Sequence, residues 1–500
     1  MASRYPGPPT WAWLPAARGV TVTRIAVKGI GVFCPGVTAV MHLRRARLRV
    51  EAPVFVLAAV AAGAVAGVAS ATSVKLAAAV VAGLVLIGLV AHRPVVLAVI
   101  ALIGVFAFER LGSTALVSGN KPGVSYSDAL LAAATVMSLP AVLGTKELRR
   151  LRLAGFGIAV YLVCLLPTLL LNSALRGYLE WLHRLVLLGG SLLVGAWIAR
   201  EGKIRPALRW LTFVACIVAI ATALNAVRHG WTHSAPFGMN KNFVGSMLSA
   251  VVIVVFIARE DLALKTRWWT GAACIIGGGV IASHSRGGAL GASVGLFLAF
   301  LLQSRLHRTG TKVLAVLIAA GLAVFVYTSV RQQENASQTV VNNSSIGVRG
   351  NVEKATRQVW HTSPIYGVGL KYFNTYNYGL FAQAANNVVD NELAESGVIG
   401  LAGFVVLQGA VLSAGFRRGR EEQLAAAGFG AVIGLLAHGM VDIYWTAGTV
   451  TLPFILMGMG LARDPSNQIR QPARERISSG PARKLPTDTL TGEDTAGASR

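Results

Sequence analysis

Arginine, lysine, histidine, carboxylate, asparagine and tyrosine side chains gather in one stretch of this chain, from about Val330 to Gly397. It reads VRQQENASQTVVNNSSIGVRGNVEKATRQVWHTSPIYGVGLKYFNTYNYGLFAQAANNVVDNELAESG, the only long polar segment between hydrophobic runs. Arg349, Lys354 and Arg357 supply cations, and the segment from Asn386 to Glu395 supplies amides and carboxylates. Together these types can hold an anionic, sugar-bearing substrate. Polar groups are costly to desolvate in a chain set in lipid, so a long polar loop is where recognition or chemistry belongs.

The elements that must position this stretch are apolar helices. Of 500 residues, 54% are hydrophobic and 13% charged, with a mean hydropathy of +0.59. A soluble chain of this length carries about twice that charge. Apolar runs of about 16–20 residues recur, which is the length of a bilayer-spanning helix, and they lack the alternation of a barrel. The expected fold is all-α: a polytopic transmembrane helical bundle of about 12–14 spans with one large extracytoplasmic loop. A net charge of +25 would suggest nucleic acid as a partner of a soluble protein. Here most Lys and Arg sit in short connectors and the C-terminal tail, where they set topology and meet anionic lipid, so membrane lipid is expected and nucleic acid is not. Cys34, Cys164, Cys216 and Cys274 each stand alone in apolar surroundings and read as packing residues. No metal site or cofactor is expected.

Residues 1–50 are expected to be cytoplasmic or interfacial and partly disordered. They begin Pro- and Gly-rich, and the following apolar run is interrupted by Arg24 and Lys28. A start at Met41, directly before the basic HLRRARLR, is an alternative. Transmembrane helices fill 51–330, with spans expected at 52–71, 74–91, 94–108, 128–144, 153–171, 182–199, 207–226, 242–258, 268–283, 287–303 and 312–329. The large loop is expected at 331–396, C-terminal spans at 397–415, 424–441 and 446–462 within 397–463, and a disordered cytoplasmic tail at 464–500.

Charge sets the sides. With HLRRARLR in the cytoplasm and sides alternating, the inner connectors become TKELRRLR (145–152), REGKIRPALR (200–209), REDLALKTR (259–267), QSRLHRTGTK (303–312), FRRGREEQ (416–423) and the tail from Arg463. Nearly every dense Lys/Arg cluster then falls inside, as the positive-inside rule requires. The outer side receives NAVRHGWTHSAPFGMNKN (225–242), SHSRGG (283–288), the large loop and AHGMVDIYW (437–445). Two further outer stretches, ERLGSTALVSGNKPGVSYSD and NSALRGYLEW, carry no usable motif. Arg286 is expected at a helix N-terminus beside Gly287 and Gly288, where the helix dipole, free N–H groups and a guanidinium make an anion site. A snorkelling interfacial arginine is the plain alternative.

Four segments, in order, resemble the O-antigen ligase and O-antigen polymerase superfamily of bacterial envelope glycosyltransferases. APFGMNKNFVG (235–245) is similar to the family's Gly–Asn–Asn segment, and SHSRGGALGASVGLF to its Ser–Arg–Gly helix start. VRGNVEKATRQVWHTSPIYGVGLKYF is similar to its Arg…Trp…Pro-x-x-Gly-x-Gly-x-x-x-Phe segment, and NNVVDNELAESGVIGLAGF to its His–Asn…Ala–Glu-x-Gly-x-x-Gly–Leu segment. The resemblance covers about residues 225–445. It implies a GT-C-like, metal-independent inverting transferase in the bacterial plasma membrane. Such an enzyme moves a glycan from an undecaprenyl-pyrophosphate carrier to a glycan or lipid acceptor on the outer face. By carry-over, Arg286 and Arg349 bind the pyrophosphate, which two guanidiniums can clamp while neutralising its developing charge. Asn240, Asn387 and Arg357 are counted as further substrate-binding residues.

The chain departs from the family at one position. Counting back from Ala394–Glu395-x-Gly397, the family's His falls on Asn386. An amide takes no proton near neutral pH, so Asn386 can orient an acceptor but cannot deprotonate it. Asp390, Glu392, Glu395 and His361 are the alternatives, with Asp390 ahead of Glu395, whose carboxylate would otherwise cap the next helix. Two other functional classes fit the composition: a membrane transporter, and a catalytically inactive relative serving as a scaffold. Ionisable groups clustered at one outer cavity favour transfer, and a polar path across the whole membrane favours transport.

Overall fold

A computed structural model of the chain describes residues 93–107, 126–172, 174–231, 236–303, 345–375, 385–445 and 447–464, with scattered helical residues between 320 and 327. The Met41 start, the spans at 52–71 and 74–91, almost all of the span at 312–329, Cys34 and the tail beyond Asp464 lie outside the described residues. Among the described residues there are helices and connectors and no strand.

The main helices are α1 (Val95–Ala107), α2 (Tyr126–Val142), α3 (Arg152–Leu171), α4 (Leu175–Arg200), α5 (Ile204–Arg228) and α6 (Lys241–Ile257). They continue with α7 (Thr266–Ala282), α8 (Arg286–Leu302), α9 (Ser345–Thr362), α10 (Val388–Gly419), α11 (Gln423–Gly439) and α12 (Ala447–Ala462). α3, α4, α5 and α10 are long and apolar enough to cross a bilayer, and α1, α2, α6, α8, α11 and α12 contain shorter apolar helices. Most fall within a few residues of the expected spans. Two do not. α4 begins seven residues before 182, and α10 begins nine residues before 397, so polar residues read as loop are helical and lie among the spans.

Small residues let these helices touch. Gly291 and Gly295 of α8 meet Gly434 and Gly430 of α11, with a methyl on Gly291 falling 2.6 Å from the Gly434 carbonyl. A small-xxx-small face is thus presented by both partners, which is how helices pack without a hydrophobic driving force between them. Large apolar side chains point outward instead, among them Phe156 and Leu170 on α3, Phe213 on α5, Leu301 on α8 and Val405 on α10. That surface is stable against lipid and unstable against water.

The connectors sort into two ends. At one, Arg463 bonds the carboxylates of Asp261 and Glu422, Lys146 and Arg150 meet Asp464, and Arg209 donates to the carbonyls of Leu262 and Ala263. Gln303 reaches the Gly419 carbonyl at the same end. These are the connectors that the charge rule assigned to one side. At the other end Trp231 packs on His284, Lys371 pairs with Glu180 and Trp445 bonds Glu392.

Candidate functional site

The first nine residues of α10 are the polar ones, VVDNELAES, and their placement follows from two interruptions of regular helix. Asn387 caps the start, its Oδ1 accepting from the Val389 N–H at 2.9 Å. Gly397 breaks the helix with φ 66° and ψ −168°, a conformation that L side chains avoid. The turn Pro364–Gly369 docks into that break. Val368 and Gly369 donate to the carbonyls of Ala394 and Glu395 at 2.9 and 3.0 Å, and Val398 and Ile399 donate back to Pro364 and Ile365 at 3.0 and 3.3 Å. Backbone groups freed by the break are thereby satisfied by the loop, as membrane depth demands. A methyl group on Gly397 would overlap the Ile365 carbonyl, and one on Gly367 would overlap Glu395.

Behind this segment lies a buried charge cluster centred on Arg184. The residue is 0% exposed and sits nine residues into α4, about 14 Å along its axis. Its Nη1 donates to Glu392 Oε1 at 2.9 Å, its Nη2 to Glu395 Oε2 at 2.8 Å and its Nε to Glu180 Oε1 at 3.2 Å. The Tyr161 hydroxyl accepts from Arg184 at 2.5 Å and donates to Glu392 Oε2 at 3.1 Å. Trp445 Nε1 donates to Glu392 Oε1 at 2.6 Å while its ring stacks 4.4 Å from the guanidinium carbon. Lys371 of the loop reaches Glu180 at 3.5 Å, and His183 lies 3.2 Å from both Glu180 and Asp128. A lone buried carboxylate would cost several kcal/mol, roughly what breaking a buried pair costs, so Glu392 and Glu395 stay in the bundle only because these donors surround them. Directly after Arg184, residues Val186–Gly190 form a π-helical turn, a local insertion that recurs at functional sites.

Asp390 faces the other way. Arg357 Nε approaches its Oδ1 at 3.4 Å while Arg357 Nη2 pairs with Glu353 at 2.6 Å, whereas Asp390 Oδ2 is buried with no hydrogen-bond partner among the described residues. An orphaned buried carboxylate oxygen is the kind of group for which a ligand or a chemical role is the usual explanation.

Arg286 opens α8 as its first residue. Ser285 caps the helix, its Oγ accepting from Gly288 N–H at 3.0 Å, and the first turn packs closely on α6, where a methyl on Gly288 would lie 2.8 Å from the Gly245 α-carbon. His438 of α11 lies against Gly287. His284 precedes the helix at φ 53°, and burial, with Lys241 nearby, lowers its pKa from 6.5, favouring the neutral ring. An N-terminus with a guanidinium and a neutral imidazole is suited to an anion, the chemistry expected there.

The structure sorts the other expected residues. Arg349 lies early in α9, and its side chain is outside the described residues. Asn240 caps α6 with its Oδ1 2.8 Å from the Asn242 N–H, so it and Asn387 both serve as helix caps. Asn386 is half-buried immediately before the α10 cap, and His361 is exposed at the end of α9 with its ring against Trp360. Glu395, the second candidate base, does not take the helix-capping place that was its alternative: it lies at the end of the polar segment, bonded to Arg184. Arg184, Glu180, Tyr161 and Trp445 were missed by sequence reasoning. The available signal was Glu180–His183–Arg184 at helical spacing beside an apolar run, where ionisable residues have a purpose by default. Among the described residues no group of three His, Cys, Asp or Glu side chains is placed to hold a metal ion.

Comparison with protein families matches residues 271–405 to the O-antigen ligase family. The match starts within α7, covers Arg286, α9 and the docked turn, and ends in α10 beyond Gly397, so it contains most of the geometry just described. Curated proteins give no match.

Proposed function

We propose that this membrane protein, which carries an O-antigen ligase domain over residues 271–405, transfers a glycan from a polyprenyl-pyrophosphate carrier to a glycan or lipid acceptor on the outer face of a bacterial plasma membrane. The observation that supports this reading best is that the matched segment brings Asp390, with its orphaned oxygen, and the helix start at Arg286 to one end of the bundle. In this reading Arg286 and Arg349 hold the diphosphate. Their charge offsets that developing on the leaving group. Arg357 and Asn240 add contacts to the substrate. Asn386 and Asn387 orient the acceptor hydroxyl, and Asp390 takes its proton as the glycosidic bond forms. The acceptor oxygen attacks the anomeric carbon, the carbon–phosphate oxygen bond breaks, and the pyrophosphate carrier leaves.

Transport is disfavoured by where the buried charges lie. Among the described residues they form two separate groups, Arg184 with its carboxylates and Asp261 with Glu422, each bonded within itself. A scaffold role is the second reading, and Asn386 in place of the family's His is the observation that favours it. Deleting the gene and analysing lipid-linked and surface glycans separates them. Accumulated carrier-linked glycan with lost surface polymer, restored by the wild-type gene and not by Asp390→Asn, supports transfer. Full restoration by the Asp390→Asn and Arg286→Ala variants would leave the scaffold.

A further inference from the structure

The polar segment Val388–Ser396 is not a straight continuation of the span that follows it. Gly397 disconnects it from the rest of α10, so its orientation is not inherited from the packed span. Its start is held by a cap on a backbone N–H, and its end by backbone bonds between Ala394–Ile399 and the turn. Among the described residues the polar side-chain partner of Asp390 is Arg357, which is 59% exposed and 3.4 Å away, a contact that contributes little.

The grip on the middle of the segment comes from Arg184. At about 100° per residue, Glu392 and Glu395 project on one side of the helix and Asp390 about 170° away from their mean direction. The guanidinium bonds both glutamates with separate nitrogens, and its planar fork holds them at a fixed angle to one another. Tyr161 and Trp445 hold Glu392 from two further helices or connectors. Resting on the transfer reading above, we infer that Arg184 is a positioning residue. It locks Glu392 and Glu395 from behind and so turns Asp390 toward α9, without itself touching substrate.

The inference is tested by a crosslink that reports rotation. In a chain with Cys34, Cys164, Cys216 and Cys274 replaced, Arg357→Cys and Asp390→Cys are joined by a short bifunctional thiosulfonate in native membranes. The same pair is then examined with Arg184→Lys, and with Arg184→Met combined with Glu392→Gln and Glu395→Gln. The triple variant removes the buried charges together, which protects folding, and leaves Glu180 its partners Lys371 and His183. Surface polymer is measured in parallel with Asp390 and Arg357 intact, in a deletion strain. The expected result is normal accumulation in the membrane, loss of the 357–390 crosslink, and polymer reduced by about 100-fold, the effect of a small misplacement of a reacting group. A purely structural Arg184 predicts instead that the triple variant recovers crosslink and polymer along with stability. Retention of the crosslink in either accumulating variant overturns the inference, as does failure of even Arg184→Lys to accumulate. If Arg286→Ala and Asp390→Asn both leave polymer unchanged, the transfer reading fails, and the crosslink still reports whether Arg184 sets the segment.

Discussion

Val398 donates its backbone N–H to the carbonyl of Pro364 at 3.0 Å, across more than thirty residues of sequence. This bond and its neighbours make a loop turn and a broken helix into one unit. Gly397→Ala places a side chain in a φ of 66° and against the Ile365 carbonyl. The substitution is expected to cost at least about 2–3 kcal/mol, the strain of a forbidden backbone with a clash added. Gly409→Ala, in the same helix with open space around it, is expected to be neutral or stabilising by up to about 1 kcal/mol. Thermal melts of the purified proteins compare them, and equal melting temperatures would refute the docking argument.

The two ends of the bundle should face opposite sides of the membrane. His361 and Glu421 are both exposed, one on each proposed side. In a background without native cysteines, His361→Cys is expected to react with an impermeant maleimide in intact cells, and Glu421→Cys only after rupture. The reverse pattern would invert the topology and remove the outer-face site.

Loss of the Arg286 guanidinium should weaken the transition state more than substrate binding. Arg286→Ala is expected to reduce transfer by about 2–4 kcal/mol, the effect of losing one preorganised charge donor, and Arg286→Lys to rescue poorly. Arg349 is expected to behave alike. Quantified surface polymer decides, and wild-type levels in Arg286→Ala would exclude the clamp.

Asp390→Asn is expected to abolish transfer while leaving carrier binding and melting temperature unchanged, because only the proton acceptor is lost. Asn386→His is the complementary change. A gain of transfer there would place the missing base at Asn386 and remove Asp390 from the role.

At the proposed cytoplasmic end, burial raises the carboxyls of Asp261 and Glu422 above their ordinary 3.8 and 4.5, and the Arg463 guanidinium between them opposes the rise. The folded protein therefore binds protons more tightly here than the unfolded chain. This contribution to stability is full at low pH and is lost as pH climbs from 3.8 through the raised values. Arg463→Ala is expected to raise both carboxyls further and steepen that loss, and Asp261→Asn to flatten it. Melting temperatures against pH test the sign, and a rise with pH in wild type relative to Asp261→Asn would contradict it.

Most of the helices were legible because lipid imposes length and apolarity on each span separately. The sorting of connectors was legible because the dense Lys/Arg clusters gather at one end of the bundle. The Pro364–Gly369 turn and the helix start at Arg286 were also readable, from Pro, Gly and Ser at fixed offsets. The beginning of α10 was not. Asp390, Glu392 and Glu395 look like solvent-facing loop residues until Arg184, some two hundred positions earlier, is seen to neutralise two of them. That partnership depends on how α3, α4 and α10 pack, which no local pattern encodes. Arg184 itself is hidden in a span whose expected start is Leu182.

The π-helical turn at Val186–Gly190 fixes how many residues α4 can contain. A turn of this kind accommodates one extra residue, and everything ahead of it is swung by about 100° relative to an uninterrupted α-helix. Removing one residue there, Gly189 for example, would let α4 rewind as a plain helix with Arg184 close to its present direction, because the turn is what absorbs that residue. Straightening the turn at unchanged length would instead carry the arginine about a quarter-turn off its glutamates. A single-codon deletion at the turn should therefore be far milder than loss of the arginine, although it shortens a buried span.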